Sequence, residues 1–284
     1  LPKETEFGRK RQIDQAACNK DYSCANGFCP SFVSVVGGQL KKGRVVGEPD
    51  VFAGLEEPSY LASLEQPWNI VVTGVGGTGV LTLSAVLAMA AHIEGKGITS
   101  LNQTGLAQKF GPVASFIRIA NNQQDIKAAR IGLCNADLLL ACDLVVGASN
   151  NVRACLSRPR SYAVVNETVA PTSEFVHDPD MILPEADMKA AIANELEQEN
   201  VSFIPATELA TGLLGDSLAT NLFMLGVAYQ KGLVPVSSSA INKALEMNGV
   251  KIEFNQQAFM WGRRAAIDEH KVAEASGIME HRFE

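Results

Sequence analysis

The sequence predicts an α/β protein built around a parallel β-sheet. Between Trp68 and about Glu208, short apolar runs alternate with stretches of helical periodicity, which is the pattern of successive βαβ units. A glycine-rich turn, GVGGTG at 74–79, follows the first apolar run and precedes the first helical stretch. The composition, 46% apolar and 19% charged, is typical of a globular protein and excludes a fibrous or disordered one.

Six strands are predicted from the short apolar runs, in the order 69–73, 97–101, 113–119, 138–141, 162–166 and 201–204. The longer periodic stretches predict helices at 79–93, 123–133, 150–156 and 185–199, followed by a helical tail at 216–231, 238–247 and 254–268. Before Trp68 the chain is rich in glycine and proline, which indicates loops. We therefore divide it into a small cysteine-rich loop module with a linker at 1–60 and an α/β domain at 61–284.

Charge and hydropathy exclude several classes of protein. With 24 basic and 31 acidic residues the net charge is −7, which argues against nucleic-acid binding and against attachment to an anionic membrane. The longest uncharged window, 66–93, contains four glycines within six positions and is not a transmembrane helix. No export signal is recognisable, so we expect a cytoplasmic location. The first residue is Leu1 and the first 15 residues have no core pattern, so we expect the chain to begin inside a longer polypeptide.

Three cysteines form a cluster, Cys18, Cys24 and Cys29, with the spacing Cys-x5-Cys-x4-Cys and a proline directly after the last one. In a reducing compartment, clustered thiols more often bind metal than form disulfides. The Cys-Pro ending is typical of ferredoxin-type loops, and the Cys-x2-Cys pairs of zinc ribbons are missing. An iron-sulfur cluster is the favoured interpretation, with zinc and unligated cysteines as alternatives. A [4Fe-4S] centre would need its fourth ligand from outside this chain.

Other polar features give weaker signals. Three further cysteines lack metal-like spacing and are interpreted as structural: Cys134, Cys142 and Cys155. Three arginines follow the fourth predicted strand, at the expected carboxyl edge of the sheet: Arg153, Arg158 and Arg160. A solvated helix face is favoured for these arginines over an anion site, and a solvated loop is likewise favoured for Lys109. No catalytic motif is present, so we assign no catalytic residue.

The glycines of the first βα turn are the candidate ligand-binding residues: Gly74, Gly76, Gly77 and Gly79. Glycines in this context permit a tight turn and let the backbone approach a phosphate at the N-terminus of the helix. Residues 99–103, at the end of the second strand, contain no acid to hold a ribose 2′-OH, which argues against NAD or FAD. A purely structural turn and a site for a phosphate-bearing ligand both remain open.

Three stretches, CNKDYSC…GFCPSF, GVGGTGV and LNQTGLAQKFGPVASFIRI, resemble the 2-oxoacid:ferredoxin oxidoreductases, and most closely the fused bacterial indolepyruvate ferredoxin oxidoreductases. The resemblance implies that 1–60 is the end of a ferredoxin-like region and that 61–284 is the Rossmann-like gamma domain. It also implies that Cys18, Cys24 and Cys29 are cluster ligands, and that the gamma domain shapes a subunit interface and the approach of coenzyme A.

The family reaction sets the functional expectation. It decarboxylates a 2-oxoacid on thiamine pyrophosphate, passes electrons through [4Fe-4S] clusters to ferredoxin and releases an acyl-CoA. The Gly-Asp-Gly motif of a thiamine site is missing from this chain, so we expect it to be inactive alone. The expected partners are the thiamine-binding domains, ferredoxin and further copies of the chain. The alternative is a non-catalytic scaffold that binds a nucleotide or phosphate and has structural cysteines.

Overall fold

A computed structural model describes residues 2–3, 6–8, 10–11, 37, 49–105, 111–169 and 183–277. The clustered cysteines Cys18, Cys24 and Cys29 lie outside the described residues, as does Lys109. Near the start of the chain, two short strands, β1 (Pro2–Lys3) and β2 (Lys10–Arg11), pair antiparallel.

A six-stranded sheet forms the centre of the described structure. Its strands are β3 (Trp68–Val75), β4 (Gly97–Thr104), β5 (Pro112–Ala120), β6 (Leu138–Ala141), β7 (Tyr162–Asn166) and β8 (Val201–Ile204). They lie in the order β4-β5-β3-β6-β7-β8. β3, β6 and β7 are buried along almost their whole length, as expected for strands covered on both faces. All six strands predicted from the apolar runs are present.

The prediction of a wholly parallel sheet is wrong at one strand. β3, β6, β7 and β8 pair in parallel, but β5 pairs antiparallel with both of its neighbours, β3 and β4. Residues 105–111 connect β4 to β5, and a crossover between parallel strands takes about a dozen residues or more. Because the connection is too short for a crossover, β5 turns back beside β4 and lies between β4 and β3.

One face of the sheet is covered by the longest helices. They are α1 (Val80–Ile93), α6 (Thr220–Gln230), α7 (Ser238–Asn248) and α8 (Ile252–Ile267). Ile70 and Leu140 of the sheet share one buried cluster with Phe223 of α6 and Trp261 of α8. Ten of the eleven residues of α6 are buried. These helices therefore form part of the main core rather than a tail appended to the sheet.

The opposite face carries a smaller apolar cluster under short helices. These are α2 (Leu144–Gly147), α3 (Asn150–Arg153) and α4 (Glu185–Ala193). Val71 and Leu139 pack there against Val152 and Ile192, because alternate residues of a strand face opposite sides. Two further helices, α5 (Ala206–Leu214) and α9 (Glu269–Ser276), lie close together: a Cβ atom on Gly212 would be 2.4 Å from the Ser276 carbonyl oxygen.

The segment that precedes the sheet is attached to the core helices. The Tyr229 hydroxyl donates a hydrogen bond to the carboxylate of Glu57. Arg263, which is only 4% exposed, donates from Nη2 to the Glu56 carbonyl oxygen at 3.0 Å and lies over the Tyr229 ring. The residues just before β3 are thus held against α6 and α8.

The helix predictions contain errors. The predicted helix at 123–133 is only a 3-10 turn at Gln123–Asp125. Ile126, Ala129 and Leu133 have helical spacing, but Leu133 is 73% exposed, so this apolar stripe is not buried against the sheet and does not stabilise a helix. The helices α2, α5 and α9 were not predicted. Among the helices of the described residues, none has the length and apolar character needed to span a bilayer.

Candidate functional site

The glycine loop joins the end of β3 to the start of α1. Gly77 and Gly79 have φ angles of 91° and 97°, in the left-handed region that favours glycine. Gly76 does not have a positive φ. Two of the loop glycines are therefore required by the backbone path itself, whatever the loop binds.

Hydrogen bonds hold the loop from three sides. The Gly76 N–H donates to the carbonyl oxygen of Gly111 at 2.7 Å, which ties the loop to the residue before β5. The Thr78 hydroxyl donates to the Val75 carbonyl oxygen at 2.8 Å. Asn221 of α6 donates from Nδ2 to the Thr78 carbonyl oxygen at 2.9 Å. The loop is thus fixed before any ligand arrives.

Gly74 has a different role from the other predicted glycines. It lies inside β3, where a Cβ atom would be 2.5 Å from Cγ2 of Val80 and 3.3 Å from Cβ of Cys142. This glycine lets α1 approach the sheet closely, and it does not belong to the described lining of the neighbouring cavity.

A cavity of about 480 Å³ opens beside the loop, toward the β4–β5 hairpin. Its described lining consists of Val75, Gly76, Gly77, Gly79, Val80, Leu81, Thr104, Gly105 and Val113. This lining contains no charged side chain, and it includes the first residues of α1, whose N–H groups have no partner within the helix. Such a site can accept the phosphate of a ligand at the helix N-terminus and an apolar group beside it.

The arrangement of β4 supplies a second argument against NAD or FAD. In dinucleotide-binding folds, the acid that holds the ribose follows the strand next to the glycine loop. Here β5 lies between β3 and β4, so the end of β4 is not adjacent to β3. Near that end, Asn102 accepts hydrogen bonds from Ser115 at 2.7 Å and from Ser84 at 3.4 Å.

Asp143, directly after β6, is a buried acid that sequence reasoning missed. It is 3% exposed, and its Oδ1 accepts the N–H of Val146 at 2.9 Å at the start of α2. Its Oδ2 has no hydrogen-bond partner in the described part of the chain. Burial raises the pKa of Asp143 from its usual 3.8 to about 6, although the N–H groups of Val146 and Val145 oppose the shift. The available signal was an acid placed directly after the apolar run LLLAC.

The arginines do not lie at the carboxyl edge as expected. Arg160, just before β7, donates from Nη2 to Oδ2 of Asp137, just before β6, at 3.0 Å. Both residues therefore lie at the amino edge of the sheet. Arg153 pairs with Glu195 at 3.0 Å, and Arg158 lies 3.7 Å from Glu197. All three arginines form ion pairs; Arg153 lies on α3, but Arg158 and Arg160 follow the end of that helix, so the favoured interpretation of a solvated helix face does not describe them.

The cysteines divide as follows. Cys142 and Cys155 are buried, as their structural interpretation requires, whereas Cys134 is exposed. The predicted ligands Cys18, Cys24 and Cys29 lie outside the described residues, so their geometry is not part of this site. Within the described ranges, no group of three or more His, Cys, Asp or Glu side chains is arranged to hold a metal ion.

These features define a class of protein: an α/β domain with a mixed six-stranded sheet and a glycine loop that opens onto a cavity. The family model for pyruvate ferredoxin/flavodoxin oxidoreductase matches residues 69–265, which is more than half of the chain. The chain belongs to this family.

Relatives of known name are subunits of 2-oxoacid oxidoreductases. The chain is 29% identical over 203 residues to indolepyruvate oxidoreductase subunit IorB of Archaeoglobus fulgidus, covering 70% of this chain and 95% of that protein. It is 25% identical over 167 residues to the common gamma subunit of the pyruvate/ketoisovalerate oxidoreductases of Pyrococcus abyssi, covering 58% of this chain and 78% of that protein. The fold is similar to part of 2-oxoglutarate:ferredoxin oxidoreductase from Magnetococcus marinus, with a TM-score of 0.51 and 18% identity, covering 72% of this chain and 31% of that one.

Proposed function

We propose that this chain supplies the gamma domain of a 2-oxoacid:ferredoxin oxidoreductase that acts on indolepyruvate or another aryl pyruvate. The supporting observation is the similarity to IorB, which extends over nearly the whole length of that subunit. In this proposal 61–284 is the gamma domain and 1–60 is the end of a ferredoxin-like module. The protein works in the cytoplasm, with ferredoxin and the thiamine-binding domains as partners and with a homo-oligomeric assembly.

The glycine loop is the proposed contact with coenzyme A. Gly76, Gly77 and Gly79 line the cavity at the N-terminus of α1, and no acidic side chain in the described lining would repel a phosphate. Coenzyme A has phosphate groups and an extended apolar and amide arm, and both parts suit this lining. Gly74 contributes to the site only by allowing α1 to pack against β3.

The cluster and the thiamine chemistry are assigned to different parts of the enzyme. Cys18, Cys24 and Cys29 would supply three thiolates to a [4Fe-4S] cluster, with the fourth ligand outside this chain. When bound, such a cluster carries single electrons, and thiamine pyrophosphate on other domains supplies the decarboxylation. The residues of this chain would bind coenzyme A and present the cluster loop.

A reconstitution experiment tests the proposal. The purified 284-residue chain, the thiamine-binding component together with the part that carries the fourth cluster ligand, and their mixture are each given indolepyruvate, coenzyme A and methyl viologen as electron acceptor. We expect no viologen reduction by this chain alone and reduction by the mixture that depends on coenzyme A. Pyruvate and 2-ketoisovalerate at equal concentration should be slower substrates than indolepyruvate.

The outcomes separate the parts of the proposal. Turnover by this chain alone would contradict the division of labour between the domains. A mixture that is no faster than the thiamine-binding component alone would contradict the catalytic proposal itself. A mixture that prefers pyruvate would leave the class of enzyme in place and overturn the aryl pyruvate assignment.

The second candidate is a non-catalytic phosphate-binding scaffold with structural cysteines. One observation favours it: the described lining of the cavity has no charged side chain, and the described residues contain no group of side chains arranged to hold a metal ion. Iron content and visible absorption distinguish the two candidates, because iron-sulfur proteins absorb where zinc and free thiols do not. An iron-free, colourless protein that binds coenzyme A would support the scaffold.

A further inference from the structure

Two segments that each contain a cysteine, one just before β6 and one just after α3, are hydrogen-bonded to each other. The Cys134 N–H donates to the carbonyl oxygen of Ala154, the residue before Cys155, at 3.0 Å. The Ala136 N–H donates to the carbonyl oxygen of Cys155 itself at 2.9 Å. The Ala154 carbonyl oxygen and the Cα atom of Cys155 belong to one peptide plane, so the hydrogen bond from Cys134 brings the two Cα atoms close to the range of about 4.4–6.8 Å that disulfides join. The backbone therefore places the two cysteines within bridging range.

The two thiols differ in their access to solvent. Cys134 is exposed, and its φ of 56° lies in the left-handed region, which is uncommon for a residue other than glycine. Cys155 is 5% exposed and contacts the Asn151 carbonyl oxygen through Sγ at 3.5 Å. A dissolved oxidant would therefore meet Cys134 first, with Cys155 behind it.

The raised pKa of the Cys155 thiol agrees with the expectation that Cys134 reacts with the oxidant first. Burial raises the pKa of the Cys155 thiol; Arg130 acts in the opposite direction, and Cys134 adds to the increase. Cys155 is thus protonated at neutral pH, and it is close enough to Cys134 for the two sulfurs to influence each other electrostatically. Cys142, by contrast, is buried in the core on the other face of the sheet and is packed near Gly74.

We propose that Cys134 and Cys155 form an oxidative modification site, in which a hydroperoxide converts the two thiols into an intramolecular disulfide. This inference is independent of the proposed enzymatic function. Disulfides of this kind in reducing compartments are transient and respond to oxidants.

The chemistry proceeds in two balanced steps. The Cys134 thiolate attacks one peroxide oxygen, so that an S–O bond forms, the O–O bond breaks and hydroxide leaves; the sulfur loses two electrons and the peroxide gains them. The Cys155 sulfur then attacks the Cys134 sulfenic acid, so that the S–S bond forms and the S–O bond breaks. Water leaves with the proton of the Cys155 thiol.

Peptide mapping of the oxidised protein tests the proposal. The 284-residue chain is treated with hydrogen peroxide, free thiols are blocked by alkylation, and the protein is digested with trypsin and Asp-N. Cleavage after Arg130 and Arg153 and before Asp137 separates Cys134, in peptide 131–136, from Cys142 and from Cys155. We expect peptide 131–136 to be joined to peptide 154–160, and the link to disappear on reduction with dithiothreitol.

Two variants make the result specific. In Cys155→Ser, whose hydroxyl can keep the contact with Asn151, the sulfenic acid at Cys134 has no resolving thiol. Its adduct with dimedone should rise about tenfold or more over that of the wild type. Cys142→Ser is the control and should form the 131–136 to 154–160 link as the wild type does. A single cooperative melting transition in each variant would show that both fold.

Three results would overturn the proposal. The first is oxidation of Cys134 directly to the sulfinic acid in the wild type, without a disulfide to Cys155. The second is a disulfide that joins two chains through Cys134. The third is equal dimedone labelling of the wild type and of Cys155→Ser.

Discussion

Asp143 is a carboxyl group held in an apolar environment, and this has a consequence for stability. Because its pKa is about 6 in the folded chain and near 3.8 when exposed, the folded state retains a proton that the unfolded state releases. The contribution of Asp143 to the free energy of unfolding is therefore fully present below pH 4. It is lost as the pH rises through about 6, when an unpaired charge must be buried.

Replacing Asp143 by asparagine should remove the pH dependence that this carboxyl group adds to the free energy of unfolding. Asp143→Asn keeps an oxygen to accept the Val146 N–H and carries no charge. The difference between 3.8 and about 6 corresponds to roughly 3 kcal/mol, so we expect the variant to be more stable than the wild type by up to that amount above pH 7. At pH 4 the two proteins should be equally stable. Urea unfolding at pH 4, 5, 6 and 7.5 measures the difference.

Asp125→Asn is the control for this experiment, because Asp125 is exposed at the surface. It removes one carboxyl group from the surface, so comparison of the two variants isolates the effect of burial at Asp143. If Asp143→Asn and the wild type follow parallel curves over this range, the raised pKa of Asp143 is refuted.

Gly77 and Gly76 of the loop differ in the backbone conformation that they require, so their substitutions test different properties. Gly77 needs a left-handed φ, so Gly77→Ala should cost about 1 kcal/mol or more of stability whether or not the loop binds a ligand. Gly76 has no such requirement and lines the same cavity. In the assembled enzyme we expect Gly76→Ala to raise the KM for coenzyme A roughly tenfold, with a smaller loss of melting temperature than Gly77→Ala.

Kinetics and melting curves of the two variants decide between a ligand site and a structural turn. If Gly76→Ala leaves the KM for coenzyme A unchanged, the loop is only a turn and the proposed contact is wrong. Gly132→Ala, outside the cavity lining, is the control for the addition of a methyl group and should change neither quantity.

At the scale of elements, the crossing of α6 and α8 determines how the main core closes. A Cβ atom on Gly262 would lie 1.9 Å from the carbonyl oxygen of Phe223, and one on Gly226 would lie 2.1 Å from that of Phe259. A glycine inside a helix costs up to about 1 kcal/mol relative to alanine. Here that cost is offset because the two backbones can approach closely and bury α6.

We predict that Gly262→Ala destabilises the protein by about 3 kcal/mol or more, because the clash is with backbone atoms of a buried helix that cannot move aside. Thermal unfolding monitored by circular dichroism measures this. Gly132→Ala again serves as the matched control, since the nearest atom to its new methyl group is a side-chain nitrogen of Asn135 at 3.4 Å. Equal melting temperatures for the two variants would contradict the close crossing.

At the scale of the whole molecule, the cysteine cluster and the α/β domain should be separable. Cys24→Ser removes one proposed thiolate ligand, and it changes a residue that lies outside the α/β domain of the proposal. In the assembled enzyme we expect lower iron and labile sulfide and an unchanged melting temperature of the α/β domain. Cys142→Ser, a change inside the core, should keep the iron. Iron content that is the same in Cys24→Ser and the wild type would refute the cluster assignment.

Much of the fold could be predicted because its signals are local. Six apolar runs predicted six strands, and the glycine turn predicted the start of α1 at the correct place. The antiparallel direction of β5 could have been predicted from the short connection at 105–111. The pattern of apolar runs shows where the strands lie and not in which direction they run. The helix at 123–133 was predicted wrongly because helical spacing stabilises a helix only where the apolar face is buried, and here Leu133 is exposed.

The sequence by itself determined the membership of the family, the strands and the position of the glycine loop, since each depends on residues that are close in the chain. Only the tertiary structure decided which loop glycines are required by a left-handed backbone conformation and which by close packing. It also decided that β5 lies between β4 and the strand that carries the glycine loop. It further decided that Arg160 is paired with Asp137, that Asp143 is buried and that the backbone of Cys134 is hydrogen-bonded to the residue before Cys155. These properties depend on the surroundings of a side chain, and those surroundings come from residues that are distant in sequence and meet only when the sheet and its helices pack.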